Sequence, residues 1–263
     1  MPADYHLHTP LCHHATGSPT DYARQAVATG LPEIGFSDHS PMPQYFDDWR
    51  MLESDLPHYF TAIEEARLAF PTLPIRLGLE VDFLSGGEAW IDALTAKAPW
   101  DYLIGSVHYL GDWNFDNPAT VARFSHYGIE EAWDRYWHLF IEAARSRRFD
   151  IMAHPDLIKK FKHHPPGDLH RYYEPAVQAC LDANVAIEIN TAGLFKPVAE
   201  MYPAPAFLTL AASAGIPLTI NSDAHAPEEV GRAFPAALAL AQACGFTSLA
   251  RFQNRQRRSV ALE

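Results

Sequence analysis

Seven short apolar or alternating stretches recur along this chain, and amphipathic stretches of helical period separate them. The strand-like stretches are "ADYHLH" (3–8), "EIGFSDH" (33–39), "IRLGLEVDF" (75–83), "DYLIGSVHYL" (101–110), "DIMAHPD" (150–156), "VAIEIN" (185–190) and "PLTINSD" (217–223). Of the helix-like stretches, "PTDYARQAVATG" opens on Pro and Thr and ends on Gly, as a short helix does. "LPHYFTAIEEARLAF", "IEEAWDRYWHLFIEAARSR", "YYEPAVQACLDAN", "APAFLTLAASAG" and "PEEVGRAFPAALALAQACG" read likewise, and Pro235 is expected to bend or restart the last of them. Strands alternating with helices imply a parallel sheet with crossover helices. No Gly-rich loop follows the first strand, where a nucleotide-binding doubly wound sheet carries one. The expected fold class is therefore α/β, as a closed or nearly closed barrel. Its 263 residues suit one such barrel, and no linker, repeat or low-complexity block interrupts them, so 1–263 reads as a single domain.

Barrels of this kind place their chemistry at the C-terminal ends of the strands. Strand one ends in His6 and His8, strand two in Asp38-His39, and strand three carries Glu80 and Asp82. Strand four ends near His108, strand five in His154-Pro155-Asp156, and strand seven runs into Asp223 and His225. Five of seven strand ends thus carry histidine and a sixth carries glutamate, which chance placement does not explain. His6 and His8 are two apart on a strand, so both point to one face while Leu7 points to the helices. Such an H-x-H pair can give one ion two nitrogens, and Asp223-x-His225 repeats the spacing where closure brings the last strand beside the first. Imidazole with carboxylate suits Zn²⁺, Mn²⁺ or Fe²⁺. His58, His126, His138, His163, His164 and His170 fall on loops or helices and receive no role.

Thirty-two acidic against twenty basic residues give a formal net charge of -12, which argues against a nucleic acid polymer and an anionic membrane as partners. A mononucleotide stays open. Three widely separated cysteines form no disulfide framework, and neither a signal pattern nor a membrane-length apolar run occurs, so a cytoplasmic protein is expected.

The set "DYHLHTPLCHHATG", "GFSDHSPMP", "GLEVDF", "GSVHYL", "AHPDLIKKF", "EINTAG" and "NSDAH" resembles the polymerase-and-histidinol-phosphatase (PHP) superfamily, over nearly the whole chain and in the family's order. "HTPLCHH", "GSVHYLGDWNFD", "HPDLIKKF" and "NTAGLFKP" resemble more narrowly its histidinol-phosphate phosphatases. The resemblance implies a distorted (β/α)₇ barrel with two to three divalent ions at the strand ends. It implies that His6, His8, Glu80 and Asp223 hold the first ion, and that Glu80 bridges to a second completed by His108 and His154. His14, His39 and His225 would hold the third. The family's loop histidine sits six positions after the H-x-H pair, which selects His14 over His13. Cys12 is read as a buried bystander.

The expected reaction is hydrolysis of a small phosphate monoester, L-histidinol phosphate, by a water activated between two ions that attacks phosphorus directly. No Asp-x-Asp-x-Thr motif suggests a phosphoenzyme. Asp223, His225 and Glu80 are the candidate catalytic residues, with Asp223 or His225 serving the departing alkoxide. A phosphate dianion on an acidic protein needs local cations, and Lys159 or Lys160, Lys196 and, more weakly, Arg232 are the candidates. Tyr109, Trp113, Phe115 and Asp116 are expected to form a lid for the leaving group. The competing readings are a phosphoesterase acting on nucleotides, a metal-storage scaffold, and an amidohydrolase. The last needs a strand-end lysine, which the sequence before His108 does not offer.

Overall fold

The computed structural model describes residues 1–262. The strands are β1 (Asp4–Leu7), β2 (Ile34–Phe36), β3 (Ile75–Asp82), β4 (Tyr102–Ser106), β5 (Tyr109–Leu110), β6 (Trp113–Asn114), β7 (Ile151–Met152), β8 (Ala186–Asn190), β9 (Leu218–Asn221), β10 (Ser248–Gln253) and β11 (Gln256–Ala261). The helices are α1 (Pro19–Ala28), α2 (Leu56–Ala69), α3 (Glu88–Thr95), α4 (Arg123–Tyr127), α5 (Ile129–Arg145), α6 (His170–Ala183), α7 (Pro205–Ser213) and α8 (Phe234–Ala243). Seven strands form one parallel sheet in the order β1-β2-β3-β4-β7-β8-β9. Its ends meet through a parallel bridge between Leu7 and Ala224 and through Asn221, whose side chain accepts the Tyr5 N–H. Asp4 reinforces that seam by accepting from Ser222 and Gly231. The result is the nearly closed α/β barrel that the alternation predicts.

Local chemistry explains the crossovers. Ser18 and Asp21 cap α1 reciprocally, and Pro19 fills its first turn, where a missing N–H costs nothing. Helix α5 buries Trp133, Tyr136, Trp137 and Phe140 at helical spacing. Pro235 sits in the first turn of α8, so the stretch from Pro227 restarts there, as expected. The stretch 101–110 is not one strand: β4 stops at Ser106, where its pairing to β3 ends, and Tyr109–Leu110 turns into a small hairpin with β6. The C-terminal hairpin β10–β11 was not expected.

The barrel interior is layered. At the bottom, Tyr5, Tyr102, Ile104, Ile151, Ala186 and Phe252 form a buried apolar plug, with Phe252 supplied by β10. The Tyr102 ring occupies space that a Cβ at Gly35 or Gly78 would invade, and its hydroxyl donates to the carbonyls of Tyr5 and Phe36. Higher on the same faces come Glu80 and Asp82 of β3, Ser106 of β4 and Glu188 and Asn190 of β8, all buried. One irregularity matters for the site. Asp4 pairs with Ile34 but Leu7 with Phe36, so β1 spends three steps against two. That bulge lets Tyr5 join the plug while His6 and His8 still face the mouth.

Candidate metal centre

The strand-end residues converge. His6 Nε2 lies 3.3 Å from Glu80 Oε1, His154 Nε2 3.0 Å and His108 Nε2 3.6 Å from the same oxygen. His8 Nε2 lies 3.3 Å from Asp223 Oδ1, and His39 Nδ1 2.9 Å from Glu80 Oε2. The His225 ring stacks on His8 at 4.0 Å and on His14 at 4.7 Å. The sequence also expects His39 beside His14 and His225; its ring lies 5.4 Å from His14 and 6.2 Å from His225, and it touches Glu80 as well.

The outer nitrogens are fixed. His6 Nδ1–H donates to Glu188 at 2.8 Å and His108 Nδ1–H to Asp82 at 2.8 Å, while His8 Nδ1 lies 3.3 Å from Asp38. His14 Nδ1 donates to the Cys12 carbonyl and His225 Nδ1 to that of Asp223. For these five rings a carboxylate or carbonyl behind Nδ1 selects the tautomer that leaves Nε2 facing inward, whereas buried His154 Nδ1 has no such partner and His39 turns its Nδ1 toward Glu80. Buried His6 Nε2, His8 Nε2 and Glu80 Oε2 have no partner of hydrogen-bonding geometry. Donor atoms sharing one tetrahedral ion at about 2.1 Å stand about 3.4 Å apart. The separations of 3.0 to 3.6 Å around Glu80 Oε1 fit that requirement. His6, Glu80 and His154 offer one such group of ligand atoms, His6, His8 and Asp223 a second, and His8, His39 and His225 a third.

The carboxylates that would attract an ion also attract protons to these rings. Burial opposes charge on His6 and His8, yet the carboxylates around them raise both imidazoles well above their ordinary range. Burial likewise opposes ionisation of Glu80 and Asp223, but His6 and its neighbours hold both well below the carboxylate range. Burial and the His39 and His8 rings lower His14 to about 4. His154 and Asp223 adopt left-handed backbone, with φ of 23° and 53°, the strained geometry that functional sites retain.

The mouth is a cavity of about 290 Å³ whose wall includes His14, His39, Glu80, His108, Asp223 and His225. Lys160, Lys196 and Arg232 line it too. Lys160 pairs with Asp116 at 2.9 Å and Arg232 with Glu229 at 2.8 Å, whereas Lys196 has no carboxylate partner among the described residues. Lys159 does not line the cavity. It is buried, bonded to the Met201 carbonyl, Asp156 and Glu200, because the turn after β7 directs it into the 200–204 segment. The expected lid is half corrected as well. Tyr109 and Asp116 line the cavity, but Trp113 packs on Phe124 and Tyr127, and Phe115 on Tyr136, as core. His13 turns away to the Asp48 carbonyl, and Cys12 is buried against His8 and Asp38 with its thiol donating to the Thr9 carbonyl. None of the six histidines left without a role lines the cavity.

The chain matches the family described as PHP domain over residues 4–192, and a PHP-associated segment over 208–235. This chain belongs to the PHP domain family. Among relatives of this PHP chain, a probable histidinol-phosphatase of Deinococcus radiodurans is 46% identical over 233 residues, covering 88% of this chain and 89% of its own. A histidinol-phosphatase of Bacillus subtilis is 29% identical, over 89% of this chain and 97% of its own. The crystal structure of histidinol phosphate phosphatase from Lactococcus lactis, complexed with zinc, L-histidinol and phosphate, superposes with a TM-score of 0.84. It is 24% identical and covers 98% of both chains, which establishes the shared PHP barrel.

Reading strand ends named Asp38 and Asp82 without their role behind His8 and His108, and missed Glu188 and Asn190. Glu188 binds His6, the His154 N–H, Asn190 and Asn221. Asn190 also donates to Asp223 Oδ2. The signal was present in "VAIEIN", where Glu188 and Asn190 share one face of an otherwise apolar strand. For Arg50, Asp47 and Trp49, which line the cavity from the segment after β2, no local pattern pointed to the site.

Proposed function

We propose that this chain hydrolyses L-histidinol phosphate to L-histidinol and inorganic phosphate with the help of divalent ions. The observation that carries the proposal is the set of inward-facing ligand atoms, with the rings of His6, His8 and His108 each backed by a carboxylate, at the floor of a cavity with cations on its wall. The 46% identical relative and the zinc, histidinol and phosphate held by the Lactococcus protein support the same substrate. His6, His8, His14, His39, Glu80, His108, His154, Asp223 and His225 would hold two to three ions of zinc, manganese or iron. Such ions supply Lewis-acid charge for the phosphoryl oxygens and acidify the attacking water.

The chain's own groups do the rest. Lys196, free of a carboxylate partner among the described residues, receives the phosphate dianion, and Lys160 and Arg232 add charge on the same wall. Water attacks phosphorus, the ester P–O bond breaks, and the departing alkoxide needs a proton. Asp223 stays ionised between His6 and His8, and its Oδ2 is steadied by Asn190. In this reading Asp223 relays the proton from the attacking water to the alkoxide. Glu80 keeps the ligand groups together at the centre. Tyr109, Asp47 and Asp116 form the part of the wall open to the imidazole and ammonium of the leaving group. The three cysteines are free, in keeping with a reducing compartment, and we place the reaction in the cytoplasm. No helix among the described residues is long and apolar enough to cross a membrane.

The test is phosphate release from L-histidinol phosphate, a mononucleotide and an aryl phosphate by metal-replete protein. Chelator-treated protein and His8→Ala serve as controls. Strong preference for L-histidinol phosphate, lost in both controls, is expected. Rapid turnover of the nucleotide alone would transfer the site to the nucleotide reading.

A further inference from the structure

The carboxylates behind His6, His8 and His108 are not satisfied in the same way. Glu188 accepts from two asparagine amides and a backbone N–H. Asp38 accepts from the Thr9 N–H and hydroxyl and the His39 N–H. Every one of those donors is neutral. Asp82, behind His108, instead accepts from the guanidinium of Arg50 at 2.9 Å. Arg50 belongs to no barrel strand: it follows β2 by fourteen residues, in the segment that borders the mouth. It is buried, and it grips a second carboxylate, Asp47, with Nε at 2.9 Å and Nη2 at 2.7 Å, and donates to the Ser40 carbonyl. Asp47 in turn accepts the Tyr109 hydroxyl, and Trp49, beside Arg50, packs 5.5 Å from His14. Arg50, Asp47 and His108 all line the cavity.

A stabilising ion pair needs one acid. This guanidinium holds two, one on the mouth segment and one on β3 directly behind a ligand ring. Its planar fork matches that task, and a lysine cannot reproduce it. A full positive charge on Asp82 also draws electron density away from the Asp82–His108 bond, so His108 is a weaker donor than His6, whose Glu188 has only neutral partners.

We propose that Arg50 is a positioning residue for the reaction: through Asp82 it sets the orientation and donor strength of His108, and through Asp47 it ties that setting to the mouth segment. The proposal rests on His108 being a metal ligand of the phosphatase described above. The test uses the full chain loaded with Co²⁺, comparing wild type with Arg50→Lys, Arg50→Ala and Asp47→Asn. In Arg50→Lys the visible Co²⁺ spectrum shifts and kcat for L-histidinol phosphate falls about 10- to 100-fold, the usual cost of losing a group behind a ligand, with KM changed less. In Arg50→Ala, added guanidinium restores part of kcat. Asp47→Asn raises KM and leaves the Co²⁺ spectrum near wild type, since Arg50 still reaches Asp82. A wild-type spectrum and wild-type kcat in both Arg50 variants would overturn the proposal, as would a loss of activity that only follows loss of folded protein by circular dichroism. If wild type does not turn over L-histidinol phosphate, the function fails, yet the spectral shift still reads the Arg50–Asp82–His108 connection.

Discussion

Replacing Glu188 by glutamine changes one atom and should disable the centre. The carboxylate accepts four donors: Oε1 takes the His6 Nδ1–H and the Asn221 amide, both at 2.8 Å, and Oε2 takes the His154 N–H at 2.7 Å and the Asn190 amide at 3.2 Å. An amide has one accepting oxygen, so its NH₂ must face two donors whichever way it sits. With the oxygen toward His6, the His154 N–H and the Asn190 amide lose their acceptor in a fully buried place. With the amide flipped, Asn221 loses its partner, and His6 must move its proton to Nε2, the atom it would offer to an ion. Each orphaned buried donor costs about 1–3 kcal/mol, so with two of them orphaned Glu188→Gln should destabilise the metal-free protein by roughly 2–6 kcal/mol. Metal affinity or activity should fall by about 10- to 100-fold as well. Urea unfolding of chelated protein measures the first, and chelator competition with phosphate release measures the second. A variant with wild-type stability and wild-type metal affinity would refute the claim that Glu188 is a saturated acceptor fixing the His6 tautomer.

The remaining predictions concern the rim, a buried acid and the plug. Lys196→Ala should raise KM for L-histidinol phosphate at least tenfold with metal content unchanged, whereas Lys159→Met should lower stability and leave little specific mark on KM; steady-state kinetics beside thermal unfolding separates the two. Burial pushes the Asp156 carboxyl up to about 6, despite the partly compensating Lys159. The folded state therefore holds that proton more tightly than the unfolded chain does. This contribution is fully present below about pH 4 and lost as pH rises through about 6, a swing on the order of 3 kcal/mol. Asp156→Asn removes the swing, so the variant should gain on wild type between pH 5 and 7.5; a constant difference in unfolding free energy across that range would contradict the assignment. Phe252→Ala should cost about 3–5 kcal/mol in denaturant unfolding by emptying the plug, while the metal affinity of the still-folded protein stays near wild type.

The candidate ligands were legible because each is a local event: histidine or carboxylate at the end of a strand whose apolar pattern is itself local. His6, His8, Glu80, His108, His154 and Asp223 could be placed by counting along single strands, and the structure brings them within a few ångströms of one another. The barrel was legible for the same reason, since a parallel sheet with crossovers follows from alternation alone. The cationic rim was only half legible. Lys159 and Lys160 are neighbours in the chain, but the turn after β7 sends one into the protein and the other to the mouth. Spacing cannot resolve that, because a short helical turn has no fixed face until its packing partners are known. The C-terminal hairpin was missed on turn chemistry: Asn254 and Arg255 both take left-handed backbone at the tip, without the glycine that usually signals such a turn.

What stayed hidden is Glu188 and the part that Asp38 and Asp82 play behind the candidate ligands, and the cause is register. Glu188 reaches His6 across 182 residues and Asn221 across 33, contacts that exist only because β8 lies between β7 and β9 at one particular height. The β1 bulge acts in the same way. A regular β1 with Tyr5 in the plug would turn His6 and His8 toward the helices, so one extra residue on that strand decides whether an H-x-H pair faces the cavity at all. Ligand identity is thus written in the strand, but ligand orientation is written in the strand's neighbours. Orientation is what makes an imidazole a useful donor, because only the carboxylate behind it chooses the nitrogen that carries the proton. Two chains with the same nine candidate ligands but different residues at 38, 82 and 188 would share this barrel and differ in the affinity and acidity of whatever their mouths hold.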